Sequence, residues 1–331
     1  MKTFYEINGP RKQDIFNQMS NQTGLPPAAI EKDWWVTLAL NAVFTLPFSK
    51  QIIFKGGTSL SKGWNLIERF SEDIDLAMDR SLLGFAGELT KGEIRRLRKA
   101  SCDSISTEFT GQLEKRLHDM GISKFELSVK AYEASDTDPV EVQLYYDSLT
   151  EKSDYLIPRV LIEIGSRSLI EPTMTRPIQS ILGETFAAQN FADTPINIPI
   201  VLPKRTFLEK VFLLHEEFQR PAKKMLLERK SRHLYDLERM MDTIHGTSAL
   251  EDLDLYNSIV AHRKKYAHLS KVDYGSHSPS QISFIPPDKL IQAFEADYMN
   301  MQEYMIYGDS LPFSLLLERL RDLQNRFRIM A

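Results

Sequence analysis

Residues 54–76 have the sequence FKGGTSLSKGWNLIERFSEDIDL, in which a short apolar run leads into two glycines. The run from Gln51 to Phe54 predicts a strand that ends at Gly56 and Gly57. A helix from Thr58 to about Arg69 follows, with Thr58 as its cap. Glycines let backbone N–H groups approach a ligand closely, and a helix N-terminus favours an anion. This part of the stretch therefore predicts a phosphate-binding turn.

The second half of the stretch carries two carboxylates on one strand. Residues 71–78 predict a strand in which Asp73 and Asp75, two positions apart, point to the same side. Two adjacent negative charges are unfavourable unless a cation offsets them, and hard oxygen ligands suit Mg²⁺. Each element alone is also explained by an ordinary turn or a chance Asp-x-Asp. Together they indicate phosphoryl or nucleotidyl transfer.

A third carboxylate, Glu163, interrupts the β-rich run RVLIEIG at residues 159–165. A charge inside such a run is costly if it is buried without a partner. Ligation of the same metal would explain it. A solvent-facing position on an edge strand would explain it equally well, and the sequence leaves both readings open.

A second group of charged residues lies between residues 204 and 239, which contain ten Lys and Arg residues and six Asp and Glu residues. In a helix, Asp236 lies on the same side as Arg232 and His233. One interpretation is a solvated helix with ordinary ion pairs. The functional interpretation is that Lys210 neutralises triphosphate charge, with Asp236 holding a cation or the lysine in place.

The order of predicted elements gives an α+β fold with a C-terminal helical domain. The N-terminal domain, residues 1–205, mixes strands with helices, and residues 206–331 favour helices. Predicted helices are 30–44, 91–118, 206–220, 222–243, 249–265, 287–303 and 312–329, and further predicted strands are 125–132, 140–146 and 159–164.

Composition excludes several classes of protein. The chain has 331 residues, of which 42% are hydrophobic and 26% charged, and its formal net charge is −4. No global positive field favours nucleic acid, so a polyanion would need local basic patches such as residues 91–99. Cys102 is the only cysteine, which excludes an internal disulfide. The longest apolar run, residues 36–48, is too short to span a bilayer, so we expect no membrane association and a cytoplasmic location.

The sequence resembles a known family, the AbiEii/AbiGii nucleotidyltransferase toxins of type IV toxin–antitoxin and abortive-infection systems. The motifs that carry the resemblance are EKDWW at 31–35, KGGTSLSK at 55–62, RFSEDIDL at 69–76, Glu163, RTFLEK at 205–210 with LH at 214–215, and SRHLYDL at 231–237. The resemblance implies a polymerase-β-like nucleotidyltransferase domain. It also implies phage defence as the setting and an antitoxin encoded alongside as a partner.

The resemblance assigns roles to particular residues. Triphosphate would meet Gly56, Gly57, Thr58 and Lys62; metal would be held by Asp73, Asp75 and Glu163; and activity would require Asp73, Asp75, Lys210 and Asp236. The leading hypothesis is an Mg²⁺-dependent enzyme that transfers NMP from an NTP to RNA, with the tRNA 3′ end as the expected acceptor. The rivals are a nucleotidyltransferase acting on a protein or small molecule, and a GTP-binding sensor without turnover.

The position of Lys210 in the chain leads to a prediction about stability. If the helical domain completes the active site, Lys210 lines a cleft, and its replacement should weaken triphosphate use while leaving stability nearly unchanged. A merely structural pair between Lys210 and Asp236 would instead lower the melting temperature when broken.

Overall fold

A computed structural model of the chain divides into two compact units. The structure describes residues 1–132, 134–151, 156–167, 172–221, 225, 228–267, 269 and 271–330. The first unit comprises Met1–Trp64 and Phe70–Val201, and the second comprises Asn65–Arg69 and Leu202–Ala331. The five residues Asn65–Arg69, which the sequence analysis placed in the N-terminal domain, thus belong to the C-terminal unit.

The first unit is built on one seven-stranded mixed sheet. Its strands are β1 (Ile52–Lys55), β2 (Asp73–Met78), β3 (Phe125–Val129), β4 (Val140–Tyr146), β5 (Arg159–Gly165), β6 (Thr173–Ile178) and β7 (Ile196–Val201). They are arranged in the order β3-β4-β5-β2-β1-β7-β6. β2 pairs with β5 and β1 with β7 in parallel, and the other neighbours are antiparallel. The prediction of an α+β fold is confirmed.

One face of this sheet forms the core of the first unit. Ile74, Ile162 and Ile164 are fully buried on it, while the residues between them are only partly buried. This alternation is the mark of a sheet with one covered face. The cover comes from helix α3 (Pro27–Val43), which packs on β2 and β5. Its Trp35 stacks on Tyr146 of β4 with ring centroids 4.7 Å apart.

Two strands, β6 and β7, were not predicted from the sequence. Each contains a proline, Pro177 in β6 and Pro199 in β7, and proline cannot donate a hydrogen bond to the ladder. β6 is an edge strand, where a missing donor is tolerated. The prolines therefore hid the strand signal.

Several short helices complete the first unit. They are α1 (Lys2–Tyr5), α2 (Gly9–Thr23), α4 (Gly56–Lys62), α5 (Lys91–Ser104), α6 (Thr110–Asp119) and α7 (Ile181–Thr185). α4 is much shorter than predicted, because the chain leaves the helix at Gly63, where an added Cβ would lie 2.3 Å from the Ile200 side chain. Asn65 then has a positive φ of 52°, which a continuing helix does not allow.

The second unit is helical, as predicted. Its helices are α8 (Pro203–Gln219), α9 (Ser231–Met240), α10 (Ile244–Leu250), α11 (Leu253–His262), α12 (Ile291–Tyr304) and α13 (Phe313–Ile329). α9 packs against α8, α12 and α13 and is the centre of this unit. The predicted helix 222–243 is confirmed over α9, while residues 222–224 and 226–227 lie outside the described part of the chain. No helix among the described residues is long and apolar enough to cross a bilayer.

Candidate active site

Two aspartates project from the face of the sheet opposite to α3. Asp73 and Asp75 are partly buried in β2, and strand alternation puts both side chains on the same side. Glu163 of β5 lies directly opposite Asp75 in the parallel pairing, and Lys55 of β1 lies opposite Asp75 on the other side. Directly opposed residues share a face of the sheet. We call this side, with Asp73, Asp75 and Glu163, the carboxylate face.

The position of β5 resolves one ambiguity about Glu163. β5 lies between β4 and β2, so it is a central strand and the edge-strand interpretation is wrong. Its neighbours Ile162 and Ile164 point into the core, so Glu163 lies on the opposite face of the sheet. The third carboxylate is therefore placed next to Asp75 by the register of the sheet.

The carboxylate face extends to a residue that the sequence analysis missed. Glu141 of β4 lies opposite Glu163, and Lys130 forms an ion pair with Glu141 at 2.7 Å. The signal was present in the alternation of β4, where Val140 and Val142 are buried on the other side. What the sequence lacked was the register that aligns β4 with β5.

The glycine turn lies against this carboxylate pair. Gly56 opens α4 with a φ of 78°, a conformation that L-residues rarely adopt. A Cβ at this position would lie only 1.9 Å from an oxygen of the Asp75 carboxylate. Glycine is therefore required at position 56 for two reasons: its backbone conformation and the close approach of Asp75 to the start of the helix.

Thr58 has a different role from the predicted one. α4 begins at Gly56, so Gly57 and Thr58 lie in its first turn and Lys55 precedes it. The buried Thr58 hydroxyl donates to the backbone carbonyl of Asp73 and lies 2.9 Å from the Ser71 hydroxyl. It fixes the start of β2 against the helix instead of capping the helix.

Lys62, expected to meet the triphosphate, is held inside the first unit. Its ammonium group forms an ion pair with Asp33, and it donates to the backbone carbonyl of Gln179 at 3.2 Å. Both charged side chains are more than nine-tenths buried. The ion pair gives Lys62 a structural partner, and the contact with triphosphate stays a prediction.

Three consecutive charges of α3 connect distant parts of the first unit. Glu31 accepts hydrogen bonds from residues 148–150, including the Leu149 N–H at 2.9 Å. Lys32 forms a buried ion pair with Glu72, the residue before β2. Asp33 binds Lys62 and accepts from the backbone N–H of residue 181 at 2.8 Å. The motif EKDWW thus anchors both α4 and β2 to one helix.

Lys210 and Asp236 lie together in the second unit. The Lys210 ammonium is 2.7 Å from the Asp236 carboxylate, which also accepts two hydrogen bonds from Arg69 at 2.7 and 2.8 Å. Asp236 is fully buried, Arg69 is 1% exposed and Lys210 is 4% exposed. The burial of Lys210 argues against the expectation that its replacement leaves stability nearly unchanged, and unfolding measurements test this.

The charges of this cluster support one another. Burial alone would raise the pKa of Asp236, but the nearby charges of Arg69 and Lys210 outweigh it and lower that pKa to about 2. Burial lowers the pKa of Lys210, with Arg69 adding to this effect and Asp236 opposing it. The carboxylate is therefore ionised throughout the physiological range and compensates two buried cations.

His233 adds a buried neutral group beside this cluster. Burial, followed by the charges of Lys210 and other cations, lowers the pKa of His233 well below its ordinary value. Its Nδ1 has no hydrogen-bond partner among the described residues. His215, the other histidine of the sequence motifs, hydrogen-bonds the Ser283 backbone and Ser276. Within the described structure, both histidines are part of the packed interior of the second unit.

The donor chemistry of the carboxylate face suits a divalent cation. Asp73 and Asp75 offer adjacent carboxylate oxygens, and Glu163 is next in register. No group of three or more Asp, Glu, His or Cys side chains in the described ranges is already arranged to hold a metal ion. Nucleotidyltransferases as a class use divalent metals.

A glycine turn beside paired carboxylates, on the carboxylate face of a mixed sheet, is an arrangement suited to nucleotidyl transfer. Residues 39–325 match the family model described as nucleotidyl transferase AbiEii toxin, type IV toxin–antitoxin system. The chain therefore belongs to the AbiEii family. It is a nucleotidyltransferase toxin of a toxin–antitoxin system, and membership implies an NTP substrate and an antitoxin partner. The predictions of family, fold class and enzyme class are confirmed.

Two bacterial proteins are among the solved structures that match this chain. JHP933 from Helicobacter pylori is 16% identical, with a TM-score of 0.44 over 92% of this chain and 93% of that one. The nucleotidyltransferase toxin MenT4, Rv2826c, from Mycobacterium tuberculosis H37Rv is 17% identical, with a TM-score of 0.40 over 92% and 94%. A sequence comparison with curated proteins gave no match.

Proposed function

We propose that this toxin transfers a nucleoside monophosphate from an NTP to an RNA acceptor, the 3′ end of tRNA, in the cytoplasm. The observation that carries the proposal is the carboxylate face, where Asp73 and Asp75 lie on one side of β2, Glu163 lies opposite Asp75, and Asp75 closely approaches Gly56. This arrangement supports a site for a triphosphate with its cation.

The chain's own residues position the reactants. Backbone N–H groups at the start of α4 bind phosphate oxygens of the NTP, because Gly56 and Gly57 have no side chains that would block a close approach. Asp73 and Asp75, with Glu163, would hold Mg²⁺, which when bound neutralises phosphate charge and lowers the pKa of the acceptor hydroxyl. The hydroxyl oxygen forms a bond to the α-phosphorus, the bond to the β-phosphate oxygen breaks, and pyrophosphate leaves. The hydroxyl proton passes to solvent.

An exposed basic stripe on α5 supports a polyanionic acceptor. Lys91, Arg95 and Lys99 recur every four residues, so they share one side of the helix, and all three are exposed. No described residue forms an ion pair with any of them. Phosphate contacts of this kind supply most of the affinity for RNA without selecting its sequence.

The second basic stretch, residues 204–239, supports the proposal less. Lys204 pairs with Asp252 at 2.6 Å, Arg239 pairs with Glu68, and Lys210 is buried. Most of its described cations are thus already neutralised within the second unit. We therefore place the RNA-binding charge on α5.

The roles of Lys210 and Asp236 in the chemistry stay a prediction. Their buried ion pair gives a competing structural explanation for any loss of activity on mutation. Activity per folded molecule separates the two explanations.

The reaction is tested with each α-labelled NTP and total RNA, comparing wild type with Asp73→Asn and Asp75→Asn. Because catalysis here is mostly positioning and electrostatics, each variant should lose roughly 10³-fold or more in rate. Asp14→Asn, an exposed carboxylate of α2, is the matched control and should keep full activity. Equal incorporation by wild type and the Asp73 and Asp75 variants would overturn the metal-site assignment.

The acceptor is tested separately from the chemistry. Sequencing of RNA 3′ ends after induction should reveal added nucleotides on tRNA. Label found only on protein or on a small molecule would overturn the RNA acceptor while keeping the enzyme class. Tight GTP binding without pyrophosphate release, across all acceptors, would overturn turnover itself.

A further inference from the structure

A cavity of about 380 Å³ lies at the N-terminal end of the first unit, between α1, α2 and α3. Phe4, Phe16, Trp34 and Trp35 contribute to its lining and are nearly fully buried. Its volume falls in the range of sites for small molecules, which are mostly apolar with a few placed polar groups.

This cavity is separate from the carboxylate face. Trp35, which lines it, stacks on Tyr146 of β4. Tyr146 is five residues beyond Glu141, so strand alternation puts the two side chains on opposite sides of the sheet. A ligand in the cavity therefore lies across the sheet from Asp75 and Glu163.

The polar groups nearest the aromatic lining are hydrogen-bond donors. The Lys12 ammonium donates to the Tyr5 backbone carbonyl at 2.6 Å and forms no ion pair with any described residue. The Tyr5 hydroxyl accepts from the backbone N–H groups of Ser123 and Lys124 and also hydrogen-bonds the Ser123 side chain. The indole N–H of Trp34 is buried without a partner among the described residues.

The carboxylates of the cavity form no ion pair or hydrogen bond with Lys12 among the described residues, although the charge of Glu31 acts on Lys12 at longer range. Glu31 is 3% exposed, and its oxygens accept from Ser148, Leu149 and Thr150 at 2.6, 2.9 and 3.0 Å. Asp147 is exposed at the rim. The lining therefore combines aromatic walls with the partly buried cation of Lys12, the exposed cation of Lys124 at the rim, and the Trp34 indole N–H, which has no partner among the described residues.

We propose that this cavity binds a small aromatic molecule that carries one anionic group, with the ring against Phe4 and Trp34 and the anion on Lys12. The Lys12 ammonium lies over the Tyr5 and Phe4 rings, 5.0 and 5.7 Å from their centroids, so an anion bound to Lys12 would lie beside the aromatic wall of the cavity. Burial also lowers the pKa of Lys12, and a bound anion would offset that cost.

The test uses fluorine NMR on the full-length wild-type protein with two probes of similar size, 4-fluorobenzoate and neutral 4-fluorobenzyl alcohol. A hydrogen bond to a charged group should make the anion bind about tenfold more tightly. An excess of NTP with Mg²⁺ should not displace it, because the two sites lie on opposite sides of the sheet. Equal affinity for both probes, or no binding of either, would overturn the proposal.

Lys12→Met locates the bound probe. It should reduce 4-fluorobenzoate affinity about tenfold and leave the alcohol unchanged, whereas Lys12→Arg should keep the preference for the anion. Lys50→Met, at an exposed lysine outside the cavity, is the matched control and should bind like wild type. Lys12→Gln replaces the methionine variant if the latter does not fold. Unchanged binding by a folded Lys12 variant would show that the anion binds elsewhere.

Discussion

Replacing Asp236 by asparagine should destabilise the second unit strongly. The lowered pKa of Asp236, about 2 against an ordinary 3.8, corresponds to about 2 kcal/mol of favourable interaction with the charged carboxylate. Asparagine also leaves Arg69 and Lys210 buried beside a neutral group, and breaking a buried ion pair costs about 3–5 kcal/mol. We therefore expect a loss of about 3–5 kcal/mol in the free energy of unfolding, measured by urea denaturation at pH 7.

The controls separate stability from chemistry. Asp322→Asn, which breaks an exposed pair with Arg326, should cost less than about 1 kcal/mol. Lys210→Met combined with Asp236→Asn should cost less than the sum of the two single changes. A loss below about 1 kcal/mol for Asp236→Asn, with activity abolished in fully folded protein, would refute the structural explanation and favour a role in the reaction.

Three further predictions concern the glycine turn, a buried lysine and a buried histidine. Gly56→Ala should cost more than about 1 kcal/mol and abolish NTP transfer, because of its positive φ and its contact with Asp75; unchanged activity would contradict this. Lys62→Met should lower the melting temperature by several degrees through the loss of Asp33, and an unchanged calorimetric melt would disprove it. The pKa of His233 is lowered in the folded protein, so His233 stays neutral there while the unfolded chain binds a proton below pH ~6.5. The free energy of unfolding is therefore unaffected by this group above pH ~6.5 and decreases as the pH falls below that value. The free energy of unfolding, measured by urea denaturation between pH 7.5 and 5.5, should therefore fall more steeply in wild type than in His233→Gln, by up to about 1.4 kcal/mol per pH unit. The same pH dependence in both proteins would contradict this prediction.

The sequence predicted the local elements of the carboxylate face well. The two-residue spacing of Asp73 and Asp75 is a property of one strand, and alternation alone puts both carboxylates on one side. The extent of β4, residues 140–146, also follows from alternation. Properties set by neighbouring residues in the chain could therefore be read directly.

Long-range pairing could not be predicted in the same way. The neighbours of Glu163 depend on which strands flank β5, and no local pattern specifies strand order. The partners of Lys62 and Lys210, Asp33 and Asp236, lie 29 and 26 positions away in the chain. A lysine that is buried in an ion pair and a lysine that binds triphosphate are identical in the sequence, so the sequence alone does not distinguish the two roles for Lys62 and Lys210.

The three charges at the start of α3 determine when the carboxylate face can become rigid during synthesis. Asp33 holds the backbone of residue 181, and Glu31 holds residues 148–150, more than a hundred positions later in the chain. Until residue 181 has left the ribosome, α3 lacks one of the partners that fix α4 and β2. Because domains fold as units and the N-terminal domain folds first during synthesis, a nascent chain shorter than this has Asp73 and Asp75 without their final geometry. A cell that makes this toxin thus completes most of the first unit before the protein can act.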